Sequence, residues 1–355
     1  MCPYDSERPA ALRTPPQSIA DVIRVMLFIV RTMQRCFVVD TLLCLIPCLT
    51  FAASLEVPPP LQQVMRQIRN GKYLQAIESI KARQGEFPQD PLAYLIAGEA
   101  YAGIIFCQTA HINSREIWNV ADIKTNPYDN GFLKAEETAL ELGRQLRLNP
   151  KSAAVGALYT GLAHGARSRL YLLRDQSLKS ASEGKLMRTD LLEAIDQDSQ
   201  LAPDAYMGLG TYNYYADVLS PILKLFRFFL MIPGGDRELG LEQLRTASER
   251  SVLLSEEARY ELGHIYGVRE SNHSEALSLY KDLAARYPNN PLYALSACYQ
   301  GEQAGEQNTA IEYCQKASKA VADGDDGGCR ERVGTAAGSA LERLRNRKAG
   351  ARATP

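Results

Sequence analysis

The chain has 355 residues, 46% hydrophobic and 23% charged, an ordinary globular balance that excludes disorder as the default and supplies enough apolar material for a long domain. Forty basic against forty-one acidic residues leave a formal charge of -1, so no global attraction for a phosphate backbone exists and nucleic acid is disfavoured as a partner. The four histidines (His111, His164, His264, His273) carry no spacing of a local metal pair, so no metal and no cofactor is expected.

Residues 1–53 differ in texture from the rest. A polar stretch containing Pro3, Pro9, Pro15 and Pro16 precedes Arg35, then a mainly apolar run from Cys36 to Phe51, with Thr50 and Ala52 in a small-x-small cleavage pattern. This resembles a secretory signal peptide, with Met33 as a start that gives it normal length and Met1 or Met26 as alternatives. The alternative is an N-terminal membrane anchor, against which Asp40 and Pro47 stand. Lipid attachment at Cys48 is disfavoured by Pro47 before it. Export implies a periplasmic or cell-envelope location and an oxidising compartment for Cys107, Cys298, Cys314 and Cys329, among which Cys298 and Cys314 are the expected pair; two small buried thiols are the alternative.

Helical patterning begins after Pro60. In the stretch from Asn70 to Tyr101, Ala76, Pro88, Ala97, Gly98 and Tyr101 occupy fixed offsets, and Leu262, Gly263, Tyr266, Ala276, Tyr280 and Pro288 repeat them downstream. Counting on from Pro288 places small residues at Cys298, Ala310 and Ala317. These residues resemble the tetratricopeptide repeat, a helix-turn-helix unit of about 34 residues. The resemblance implies an all-α, right-handed solenoid of five or six degenerate hairpins over residues 54–322, whose first helix meets its second so closely that only Gly98 or Gly263 fits at the crossing.

Between these matches, second helices are expected to end at Pro150 and Pro203, and another to follow Arg237. The steps from Gly98 to Thr138, Thr160 to Leu191 and Gly210 to Gly240 are 40, 31 and 30 residues, against about 12 in the usual unit. Three central units are therefore expected to carry insertions in the same turn, or else longer helices. The first insertion holds the single tryptophan, Trp118, either a partner anchor or a pin to the chain's own core. The third runs from Pro221 to Pro233, too short to span a bilayer; Lys224, Phe226, Arg227, Phe228 and Phe229 give it the pattern of an interfacial segment or of a short buried helix. The block that follows, from Gly235 to Leu244, is similar to the tetratricopeptide repeat protein 39 family, a match too short to carry a function.

Residues 323–355 divide into a flexible linker, Asp323 to Gly328, which lacks the ligand pattern of a calcium loop, and a polar capping helix. No nucleophile elbow, phosphate loop, dinucleotide fingerprint or C-x-x-C occurs, so a non-catalytic reading is expected; a polar pocket with converging carboxylates is what would revive an enzyme. The resemblance points instead to a scaffold binding a protein or peptide on its concave face, where projection from the packing positions puts Glu99, Thr211, Tyr214, Tyr215, Tyr260, His264 and Tyr299. Inter-repeat packing is the alternative for each tyrosine. A peripheral membrane protein anchored through residues 221–233 is the rival function.

Overall fold

The computed structural model describes residues 55–109, 124–218, 233–319 and 329–353. The chain divides between Ala53 and Ser54, and everything described belongs to the second unit. The signal segment, Trp118, the interfacial segment from Lys224 to Phe229 and the linker at 323–328 lie outside the described residues.

Among the described residues there are thirteen α-helices and no strand. They are α1 (Pro59–Arg69), α2 (Tyr73–Gln84), α3 (Pro91–Thr109), α4 (Asp129–Arg147), α5 (Ala153–Leu173), α6 (Ser177–Gln197) and α7 (Ala202–Asp217). They continue as α8 (Arg237–Arg250), α9 (Ser255–His264), α10 (His273–Arg286), α11 (Pro291–Gln303), α12 (Gln307–Lys319) and α13 (Cys329–Ala353). Each helix packs on the next, as an antiparallel chain of hairpins requires. Contacts between alternate helices join α1 to α3, α3 to α5, α5 to α7, α7 to α9 and α11 to α13. The odd-numbered helices thus form one layer and the even-numbered helices lie against it.

Local chemistry sets the helix ends. Proline occupies the first turn of α1, α7 and α11, where its missing N–H costs nothing. The carboxylate of Asp236 accepts from the N–H of Leu239, and the amide oxygens of Asn272 and Asn290 accept from Glu275 and Leu292, capping α8, α10 and α11. Pro150 lies just past α4 as expected, whereas Pro203 opens α7 rather than closing α6.

Four of the turns inside hairpins are identical in length. Three residues join α1 to α2, α5 to α6, the end of α9 to α10, and α11 to α12, and the middle residue is left-handed each time: Gly71 (φ 70°), Asp175 (57°), Ser271 (55°) and Gly305 (77°). The N–H groups of Lys72, Gln176 and Glu306 reach back five residues to the carbonyls of Gln67, Tyr171 and Gly301 at 2.8–2.9 Å. Asn272 reaches back six, to Tyr266 at 2.7 Å, because a π turn over Ile265–Arg269 adds one residue. The α5–α6 unit carries its additional length as two 21-residue helices around a tight turn, not as an inserted loop.

Small residues sit where helices touch. Ala76, Ala97, Ala276, Cys298, Ala310 and Ala317 are all buried, and Cys298 on α11 is bonded to Cys314 on α12 across a Cα separation of 5.0 Å. A Cβ on Gly98 would fall 1.8 Å from Oε1 of Glu136, and one on Gly263 would fall 2.7 Å from the ring of Tyr280. Helix α3 is long and apolar enough to cross a membrane, but it is a core helix here, packed against α1, α2, α4 and α5. The last helix buries one stripe, Val333, Ala336, Ala337, Ala340 and Leu344, against α11 and α12, with Arg330 also buried near its start and exposed charges at Glu331, Glu342, Arg343, Arg345 and Arg347.

The row of helices turns back on itself. The Arg69 guanidinium, at the end of α1, donates to the carbonyl of Leu253 at 2.9 Å and pairs with Glu256 at 3.0 Å. Asn290, while capping α11, donates from Nδ2 to the Arg69 carbonyl at 3.0 Å. Arg332 of α13 donates to the carbonyl of Cys107 on α3. The odd-numbered layer therefore curves around a space.

Candidate functional site

That space is a pocket of about 110 Å³ whose wall comes from α1, α3, α5, α7, α9 and α11, with Tyr73 of α2 and Phe132 of α4 entering between them. Helical periodicity puts the lining in stripes. Glu99, Ala102, Gly103 and Phe106 form the stripe of α3, and Ala166, Arg169, Leu170 and Leu173 form the stripe of α5, both at spacings of three, four and seven. Helix α9 presents Glu257, Tyr260 and Glu261. Gly103 is required there, since a Cβ would lie 2.2 Å from the Tyr73 ring.

Most of the wall is apolar, and its charges are poorly matched. Carboxyls from Glu99, Glu257 and Glu261 face Arg69 and Arg169, while Arg69 is held by Glu256 on the same side. Glu99 and Arg169 make no hydrogen bond or ion pair among the described residues. Glu257 lies 3.9 Å from Arg69, and its buried Oε2 has no partner. Glu261 accepts from the Tyr215 hydroxyl at 3.0 Å. Behind the wall, Glu136 of α4 is 1% exposed, its Oε1 occupies the space over Gly98, and its Oε2 has no partner.

Burial dominates the proton affinities. It pushes Glu257 up to about 7, helped by the negative charges of Glu99 and Glu256 and opposed by Arg69. It raises Glu136 well above the ordinary range, with Glu99 adding to the effect and Arg167 and Arg169 opposing it. Glu261 is raised by burial against Arg169. In contrast Glu256 is lowered despite burial, because Arg69 and the hydroxyls of Tyr287 and Ser255 stabilise its anion.

The structure divides the seven residues expected on the concave face. Glu99 and Tyr260 line the cavity, and Tyr215 stands behind it through Glu261. Thr211 is half-buried and donates to the Met207 carbonyl one turn back. Tyr214 and Tyr299 are buried to 1% exposure and offer a partner no surface; the Tyr214 hydroxyl donates to Glu270 at 2.6 Å. His264 is buried, not at the surface, and burial with the nearby Arg269 lowers it to about 3, so its imidazole is neutral at physiological pH. Projection from the packing slot fails for these three because neighbouring helices cover more of each odd-numbered helix than an open coil would. Arg69, Glu136, Arg169, Glu257 and Glu261 were missed. The α5 stripe is readable in the sequence as small, charged and apolar residues at helical spacing, but its meeting with Arg69 depends on the closure of the layer.

Among the described residues no cluster of three or more histidine, cysteine, aspartate or glutamate side chains is arranged to hold a metal ion. No protein-family model matches the chain, and no curated protein matches it.

Proposed function

We propose that this chain is a degenerate tetratricopeptide-repeat protein of the cell envelope, exported by its N-terminal segment, that acts as a non-catalytic scaffold and takes a side chain or chain end of a protein or peptide partner into its central cavity. Four equal hairpin turns with a left-handed middle residue and glycines at helix crossings support the repeat reading. The observation that supports the binding reading is the wall itself: it joins aromatic and aliphatic surface to charged groups of which Glu99 and Arg169 make no hydrogen bond or ion pair among the described residues and Glu257 leaves its buried Oε2 without a partner. Unsatisfied buried charge is costly, and a ligand that supplies the counter-charge recovers that cost.

A photo-crosslinking residue placed at Phe106 or Met207, on the wall, should capture a partner from envelope extracts. The same residue at Glu78 or Glu242, exposed on the even-numbered layer, should not. Capture from the outer positions alone would reject the reading.

One observation favours a second reading. A carboxyl near neutrality in a cavity, beside Glu99 and Glu261, has the profile of a general acid or base, so Glu257 is the residue on which an enzymatic role would rest. That reading requires turnover of a chromogenic glycoside or ester that Glu257→Gln abolishes.

A further inference from the structure

We propose that the group the cavity receives is a protonated primary amine, its ammonium seated between Glu257 and Glu99 and its alkyl stem against Tyr260, Tyr293 and Phe106. The inference rests on the binding reading above and names the chemistry of the ligand. Three observations lead to it. First, carboxyls outnumber guanidiniums around the space, and one of the two guanidiniums, Arg69, is already held by Glu256. Second, the excess on the wall is uncompensated: Glu99 makes no hydrogen bond or ion pair among the described residues, and the buried Oε2 of Glu257 is without a partner, while behind the wall the carboxyl of Glu136, 1% exposed, fills the space over Gly98. Third, Tyr73, Tyr260 and Tyr293 bring aromatic rings to the same wall, and the negative faces of such rings attract a cation while their edges pack an alkyl chain. An anion would meet only Arg169 as an unpaired cation and several carboxylates as repulsion. A neutral apolar ligand would leave every carboxyl as it is.

The amine has two possible sources, a lysine side chain on a partner or a free small amine, and both present the same group. Binding requires ionised Glu257, so it strengthens as pH rises from about 5 to about 8 and releases protons. The groups facing Glu257 set that window: Arg69 of α1, Glu99 of α3, Glu256 and Glu261 on its own helix, Tyr287 at the end of α10, and Tyr293 of α11.

Titration calorimetry of the full chain with n-butylamine, n-butanol, acetyl-lysine amide and its Nε-acetylated form tests the proposal. The two amines should bind at about pH 8, the alcohol and the acetylated form should not, and lowering the pH to about 5 should weaken binding at least tenfold. Tighter binding of acetyl-lysine amide than of butylamine assigns the site to a protein partner; equal binding assigns it to a free amine. Glu257→Gln and Glu99→Gln should each lose about tenfold, while Glu242→Gln on the outer layer loses nothing. Thermal melts of the variants separate loss of the site from loss of the fold. Binding of butanol as tight as butylamine, or no amine binding to a chain that still crosslinks a partner from Phe106, would overturn the ammonium assignment and leave the docking role standing. Absence of both would remove the docking role as well.

Discussion

Gly98 in the α3–α4 hairpin and Gly263 in the α9–α10 hairpin hold the same slot in the pattern, but the space each vacates is filled by opposite chemistry. Gly263 accommodates the ring of Tyr280, a buried aromatic that contributes to the core. Gly98 accommodates the carboxyl of Glu136, a buried acid with an unpartnered oxygen beside the charges of the cavity. One glycine serves packing alone, and the other admits a group whose burial costs stability. A helix crossing that tolerates only glycine therefore does not reveal whether it serves the fold or the site. The neighbour decides.

Three substitutions sharpen that contrast. Gly263→Ala has the largest expected effect. Its Cβ meets a ring that is 3% exposed and cannot retreat, so overpacking of ~1–3 kcal/mol exceeds the gain in helix propensity of ~1 kcal/mol. Denaturant melts should show a clear loss. Gly98→Ala should lose less, about 1 kcal/mol, and adding Glu136→Ala should restore what is lost, because the obstacle is the end of a single side chain. A double-mutant cycle with no coupling would show that Glu136 does not fill the glycine's space.

The pH response comes next in size. Glu136, Glu257 and Glu261 have proton affinities raised by folding, so their contribution to stability is complete below about pH 4.5 and is lost as pH rises, for Glu257 through about 7. Glu257→Gln should therefore raise the melting temperature by a few degrees at about pH 8 and change nothing at about pH 4.5. His264, two turns along the same helix, has the opposite sign. Its lowered value gives stability that is present above about 6.5 and lost as pH falls toward about 3. The turns give effects of about the same size as Gly98→Ala or smaller. Ser271→Gly should stabilise by ~0.5 kcal/mol by relieving a left-handed residue, and Gly305→Ala should cost ~1 kcal/mol although nothing lies near its Cβ.

Much of the architecture was legible in the residues. Small side chains at Ala76, Cys298, Ala310 and Ala317 repeat at intervals that only stacked helical pairs explain, and all four are buried in one core. The cavity was legible only in part. Glu99 and Tyr260 are found by projecting outward from a packing position on their own helix, which is a local operation. Arg69, Arg169 and Glu257 come together only because the layer closes through Asn290 and Leu253, contacts that span 221 and 184 residues of sequence. No local pattern encodes so distant a meeting. Tyr214 and Tyr299 are buried by adjacent helices instead, Tyr214 reaching Glu270 of the next hairpin and Tyr299 facing Arg343 of α13.

The most direct test of a cavity that holds uncompensated carboxyls is a carbon-13 titration of the glutamate side-chain carboxyls in the full chain, with Glu257→Gln for assignment. One resonance, absent from the variant, should titrate near pH 7, and the Glu136 signal should stay in its protonated position at higher pH still. If every glutamate in the chain titrates near its ordinary value of about 4.5, the carboxyls are solvated and the cavity holds no uncompensated acid.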